Sequence, residues 1–238
     1  MQIYPAPQAQ VVLKTLVPGQ IWYAQQAIQF GPLNLSTRAT FVKLRDGSIW
    51  VHSPIEPSAQ LVTEIAEIGP VRYVLAPNKS HHLFFTPFMK AFPNAEGYIA
   101  PGLAEKRPDL SAYPVLSPLE KPAWTTELIP VFVEGLPIIN ETAWFHSTTG
   151  TLILTDLLFC FGAEHIGLAR VVARLLGVYD QLAMSRTMKL LVKDKTALAR
   201  SVDALLALDV ERIVLAHDRI IENDAKRKLS AAFNWLRK

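Results

Sequence analysis

The chain has a single cysteine in 238 residues, Cys160, which excludes an intrachain disulfide framework and any cysteine-cluster zinc site. It also lacks a run of about 18 apolar residues, because Pro, Asn or Gly interrupts its longest uncharged stretches, so no membrane-spanning helix is expected. The opening residues, MQIYPAPQAQ, have neither the basic segment nor the apolar stretch of a secretory leader, and none is predicted. A dominant charge sign is missing too: 24 Lys and Arg face 21 Asp and Glu, leaving a net charge of +3. So weak a basic bias is no nucleic-acid footprint, and no nucleic-acid partner is expected. Charged residues make up only 19% of the chain against 50% hydrophobic, which supplies a core and argues against disorder. With no internal repeat and no Gly/Ser-rich or charged linker, the expectation is one cytoplasmic globular domain spanning 1–238.

All seventeen prolines lie at or before Pro137. Proline breaks helices and tolerates only strand edges and turns, so 1–160 should be rich in strands and loops while 164–238 can hold long helices. TFVKL (40–44), Asp46-Gly47 and SIWVH (48–52) read as a hairpin of two β-rich runs joined by a turn dipeptide. Helical spacing of Leu61, Val62, Ile65 and Ile68 predicts a helix over 58–68, ended by Gly69-Pro70. VRYVLA (71–76) is a buried-strand run; 84–92 is a short helix and GYIA (97–100) a further strand. The order strand, strand, helix, strand, helix, strand indicates an α/β protein. In the second half, 127–133, 141–145, 151–155 and 213–216 read as strands, and 162–177, 195–208 and 224–236 as helices.

Both halves contain an apolar strand that runs straight into a histidine-bearing loop: VLAPNKSHH (74–82) and VLAHD (214–218). His81 and His82 follow the first strand, His217 and Asp218 the last, and Asp156 ends TLILT. Loops at the carboxyl ends of strands are where α/β sheets bind ligands. Neutral imidazole and carboxylate suit zinc, iron or manganese, and metal sites gather such groups from separate strands. The plainer alternative for each is a loop-facing polar residue or a cap.

This arrangement resembles the metallo-β-lactamase superfamily, whose αββα sandwich carries H-x-H-x-D-H after one strand, a later His, an Asp at a strand end and a last His. VRYVLAPNKSHHLFF then aligns with Pro77 and Lys79 at the first two His positions, His81 at the Asp position and His82 at the next His. PFMKAFPNAEGYIAP (87–101) resembles the following helix and strand, and TLILTDLLF (151–159) puts Asp156 at the bridging carboxylate. EGLPIINETAWF (134–145) puts Leu136 where a His normally stands, and His217 in VLAHD fits the final His. RATFVKLRDGSIWVHSPIE (38–56), APNKSHH and TLILTDLLF together resemble more closely the uncharacterised DUF4336 branch, over roughly 20–235.

In two-metal members of that superfamily the two ions have separate ligand groups. The first group here would be Pro77, Lys79 and Leu136, which offers no imidazole. The second would be His81, His82, Asp156 and His217, all ligand types. The resemblance therefore implies one divalent metal (zinc, iron or manganese) at most, with the Lys79 cation near the place of the missing one. Four protein ligands close a tetrahedral ion, so catalysis would need a six-coordinate metal or one ligand that stands back, and His81, replacing a shorter Asp, is the expected one. Two functions stay open. One is a mononuclear metal-dependent hydrolase of an unknown small molecule, with a metal-activated water as nucleophile and Asp218 orienting or moving a proton. The other is a metal-free, inert scaffold that binds a small molecule or protein partner through the same pocket.

Other residues read as structural. His52, ending a strand, is a core histidine or a partner orienting a ligand. His146 precedes a turn, His165 is a surface residue, and Cys160 packs in the core. Ser80 lacks a nucleophile elbow. The basic stretch 186–195 is a solvated helix end or a contact for an anionic ligand. Trp50, Phe145 and Leu152, alternating with polar neighbours, are expected in the core between the two sheets.

Overall fold

The structure, a computed structural model, describes residues 3–5, 11–30, 33–162 and 167–237, so His165 lies outside it. The chain divides into two compact units, Met1–Trp124 and Thr125–Lys238.

The first unit is built on a mixed sheet, seven-stranded among the described residues: β1 (Ile3–Pro5), β2 (Lys14–Val17), β3 (Ile21–Phe30), β4 (Leu33–Lys43), β5 (Ile49–His52), β6 (Val71–Ala76) and β7 (Glu96–Ile99). Its order is β1-β3-β4-β5-β6-β7, with β2 also pairing β3; β1 to β5 pair antiparallel, and β5, β6 and β7 run parallel. The parallel run requires crossovers, supplied by α1 (Ala59–Ile68), which the helical spacing predicted, and α2 (Phe85–Ala91), the short helix expected over 84–92; a one-turn α3 (Leu103–Lys106) follows β7. Ser58 caps α1 by accepting the Leu61 N–H at 3.1 Å, which satisfies one of the helix's unpaired donors. Ile49 and Val51 of β5 point into a core shared with Leu61, Ile65, Phe85 and Phe88 of the two helices. Strand alternation sends Trp50 to the opposite face, where its ring stacks on His52 at 5.6 Å and meets Trp124 at 5.9 Å.

The second unit holds a five-stranded mixed sheet in the order β12-β11-β10-β9-β8, made of β8 (Leu128–Phe132), β9 (Thr142–His146), β10 (Thr151–Leu154), β11 (Arg212–Leu215) and β12 (Ile220–Ile221). β10 and β11 are parallel; the other pairs are antiparallel. Four α-helices are described: α4 (Gly167–Leu176), α5 (Arg186–Leu190), α6 (Lys195–Ala207) and α7 (Ala225–Ala232). Phe145 and Leu152, paired across β9 and β10, pack with Leu198, Val202 and Leu205 of α6 and Leu229 of α7. They therefore belong to a sheet-on-helix core, not to the other face of the sheet as the sequence suggested. Trp144, Ile153 and Val214 occupy that other face and are also buried, which is why TLIL and RIVL read as continuous apolar runs with no alternation to reveal the face.

Candidate metal centre

Register builds the heart of the site. β10 and β11 pair in parallel from Thr151↔Arg212 to Leu154↔Leu215, so the residues two beyond each strand end, Asp156 and His217, emerge side by side. Asp156 Oδ1 lies 3.3 Å from His217 Nε2, and both side chains are about nine-tenths buried. A charge-assisted N–H···O bond would close to about 2.7–2.9 Å. Two donors bound to a tetrahedral ion at about 2.0–2.2 Å stand about 3.3–3.6 Å apart, and the observed spacing falls at the lower end of that range. The Phe159 ring stacks on the His217 imidazole at 5.8 Å and 18°, fixing its plane.

Beneath the pair sits Glu141, a residue that in the sequence is an ordinary member of the 141–145 strand. Its Oε1 accepts the Thr155 N–H at 2.8 Å, and its Oε2 those of Asp156 and Leu157 at 2.7 and 2.9 Å. One buried carboxylate thus satisfies three backbone donors where the chain leaves β10, and so aims Asp156. Burial, then the neighbouring Asp156 charge, pushes the Glu141 pKa up to about 7, against the pull of those hydrogen bonds. A polar residue just before a buried strand was the one available signal for it. Asp218, in a left-handed conformation at φ 58°, accepts the Gly162 N–H on Oδ2 at 2.6 Å, tying two loops together.

Leu136 is fully buried in the apolar core. The turn before it is pinned to the start of α6: Gly135 accepts the N–H groups of Lys193 and Asp194 at 2.8 and 3.2 Å. Gly135 has φ +78°, and a Cβ there would collide with the Asp194 carbonyl. The position aligned with a ligand histidine is therefore a packing position.

In the first unit, the loop after β6 is organised by Asn78, fully buried, whose Oδ1 accepts the N–H groups of Ser80 and His81 at 2.8 and 2.7 Å. His81 Nδ1 lies 2.7 Å from Ser53 Oγ. With the ring proton on that nitrogen and donated to the hydroxyl, Nε2 becomes the acceptor, the usual way a protein selects a ligand tautomer. His82 has the opposite arrangement. Arg107 Nη1, which can only donate, is 3.0 Å from His82 Nδ1. Burial first, then the Lys106 and Arg107 charges, lowers the His82 pKa to about 4, so the ring is neutral with its proton on Nε2. The Lys79 carbonyl accepts the Lys106 Nζ at 2.6 Å.

His52 is 1% exposed and stacked on Trp50, and burial, reinforced by the His81 charge, lowers its pKa to about 3. It is a neutral core histidine. His146 bonds the Thr149 hydroxyl at 2.8 Å within its own turn. Cys160 is buried, which pushes its pKa up to about 11. Ser80 is exposed.

No helix among the described residues is long and apolar enough to cross a membrane. No curated protein sequence matches the chain. Residues 18–119 match the model of the "Domain of unknown function (DUF4336)" family. Among solved structures, the metallo-β-lactamase from Pontibacter korlensis is similar at a TM-score of 0.65 and 12% identity, over 96% of this chain and 100% of that one. FIM-1 from Pseudomonas aeruginosa, in its mono-zinc form, is similar at 0.60 and 9%, over 97% of each chain. The Flv1 flavodiiron core from Synechocystis sp. PCC6803 is similar at 0.63 and 13%, over 97% of this chain and 62% of its own. Such low identities speak for fold alone. The chain thus has the metallo-β-lactamase fold, two mixed sheets flanked by helices, with the DUF4336 family matched over residues 18–119.

Proposed function

We propose that the protein is a mononuclear metal-dependent hydrolase acting on a small molecule, with Asp156 and His217 as the pair that anchors the ion. The observation that carries this reading is their 3.3 Å spacing, the separation of two donors on one tetrahedral metal. The ligand set implied by the sequence adds His81 and His82. The contact of Arg107 with His82 favours His81 as the third ligand and His82 as the one that stands back, reversing the order expected from the sequence. Three protein ligands leave one position open, as catalytic sites do.

A divalent ion held there supplies Lewis-acid polarisation of a carbonyl or phosphoryl oxygen. Around it, Glu141 holds the Asp156 backbone, Phe159 holds the His217 ring plane, and Ser53 sets the His81 tautomer. Lys79 provides a cation for an anionic group of the substrate. Asp218, engaged by Gly162, positions the loop that carries His217.

Zinc titration followed by melting temperature tests the reading. One equivalent should raise the parent's Tm, Asp156→Ala and His217→Ala should abolish the rise, and His82→Ala should keep it. A parent whose Tm ignores zinc would favour the inert scaffold.

A further inference from the structure

A second feature of the second unit is independent of the metal centre. A cavity of about 640 Å3 opens beside the edge strand β12, between α5 and α7, and neither Asp156 nor His217 lines it. Its volume falls in the range of about 300–1,000 Å3 typical of small-molecule sites, far larger than a bare oxyanion needs. Five cations line it: Arg186 and Lys189 on α5, Arg219 before β12, and Arg227 and Lys228 on α7. The two acids in the wall are Asp180 and Glu222, so the lining carries a net charge of +3, as large as that of the whole chain. Both acids are already engaged, Asp180 with Arg219 and Glu222 with Arg212, each at 3.7 Å. Asp224, outside the lining, pairs with Arg227 at 2.7 Å, which leaves Arg186, Lys189 and Lys228 to supply the cationic side.

Of the remaining lining residues Gln181 and Asn223 are polar, while Leu182, Ala232 and Trp235 form an apolar side. Leu182 and Ala232 are buried, and Trp235 presents its ring. The indole Nε1 of Trp235 is buried and has no hydrogen-bond partner among the described residues. The Lys189 ammonium lies 5.4 Å from the centre of that ring. It is half-buried beside Arg186, and burial together with the Arg186 charge lowers its pKa. Cations crowded against an apolar wall repel one another unless an anion joins them.

We propose that this cavity is a ligand site for a phosphate monoester with a flat apolar body. The dianionic phosphate has three acceptor oxygens for the guanidinium and ammonium donors, and the apolar body lies against Leu182, Ala232 and Trp235. A bare oxyanion would leave the apolar side unfilled, and an uncharged aromatic would offer no anion to Arg186, Lys189 and Lys228.

Calorimetric titration of the full chain with phenyl phosphate, inorganic phosphate and phenol tests this. Phenyl phosphate should bind one per chain with a Kd below about 1 mM, at least tenfold tighter than either comparator. The double variant Arg186→Gln/Lys228→Gln should weaken it at least tenfold with Tm and zinc binding unchanged; should it fold poorly, Lys228→Gln alone should weaken it measurably. Lys226→Gln, on the same helix but outside the cavity lining, should bind like the parent. The proposal is overturned if phenyl phosphate fails to saturate, if it binds no better than inorganic phosphate, or if the cavity variants bind as the parent does. It is equally overturned if Asp156→Ala abolishes the binding, which would place the anion at the metal centre.

Discussion

Replacing Glu141 with Ala removes the carboxylate that accepts the N–H groups of Thr155, Asp156 and Leu157 at 2.7–2.9 Å. Glu141, Thr155, Asp156 and Leu157 are all buried, so water has poor access to the donors left behind. Each buried, orphaned donor costs about 1–3 kcal/mol, giving about 3–9 kcal/mol for the three. Local relaxation and the relief of burying a carboxylate beside Asp156 reduce this, and a loss of about 3–5 kcal/mol is expected. Glu141→Gln keeps one acceptor oxygen but turns an NH2 toward backbone donors, so it should lose at least about 2 kcal/mol. Urea unfolding followed by circular dichroism reads both values. Arg200→Ala is the control: its contact with Glu134 at 3.3 Å is solvent-exposed, and its loss should cost under about 1 kcal/mol. If Glu141→Ala unfolds within about 0.5 kcal/mol of the parent, the carboxylate does not hold the end of β10 and the account of how Asp156 is positioned is wrong.

Leu152→Ala, at a fully buried position against α6 and α7, should cost about 2–5 kcal/mol in the same assay, and a loss under about 0.5 kcal/mol would contradict its core placement. Gly135→Ala should cost more than about 1 kcal/mol, because φ +78° and the Asp194 carbonyl both exclude a side chain; an unchanged Tm would contradict the pinned turn. His52 sets a pH dependence. Its folded pKa, about 3, lies below the unfolded value of 6.5, so the unfolded chain takes up a proton the native state refuses. Its contribution is complete above about pH 6.5 and is lost as pH falls toward 3, at up to about 1.4 kcal/mol per pH unit. Unfolding free energies between pH 7 and 5 should therefore fall more steeply for the parent than for His52→Phe, and parallel profiles would contradict this.

The strand ends were legible because buried parallel strands are written as uninterrupted apolar runs; TLILT and IVLA run directly into Asp156 and His217, and VRYVLA reaches His81 and His82 through the loop 77–80. α1 and α6 were legible from helical spacing. β3 was not: IWYAQQAIQF mixes Gln with apolar residues and shows no clean period of two, since Gln26 is itself buried and accepts the Glu56 N–H. The same continuous burial concealed which face of β9 and β10 meets the helices. Within the site, sequence supplied the ligand types but not their supports. Ser53, Arg107 and Glu141 act through hydrogen bonds spanning 14 to 28 residues, a geometry that no local pattern encodes, whereas Asn78 makes a local turn over two and three residues. Arg107 is the instructive case, because two adjacent histidines look equivalent in sequence and one guanidinium makes them chemically different.

Elemental analysis of the full chain, purified without chelator or affinity histidines, tests the central claim most directly. The account predicts about one equivalent of zinc, iron or manganese per chain, lost in Asp156→Ala and His217→Ala. A folded parent that carries no metal, or one that carries two ions, would contradict it.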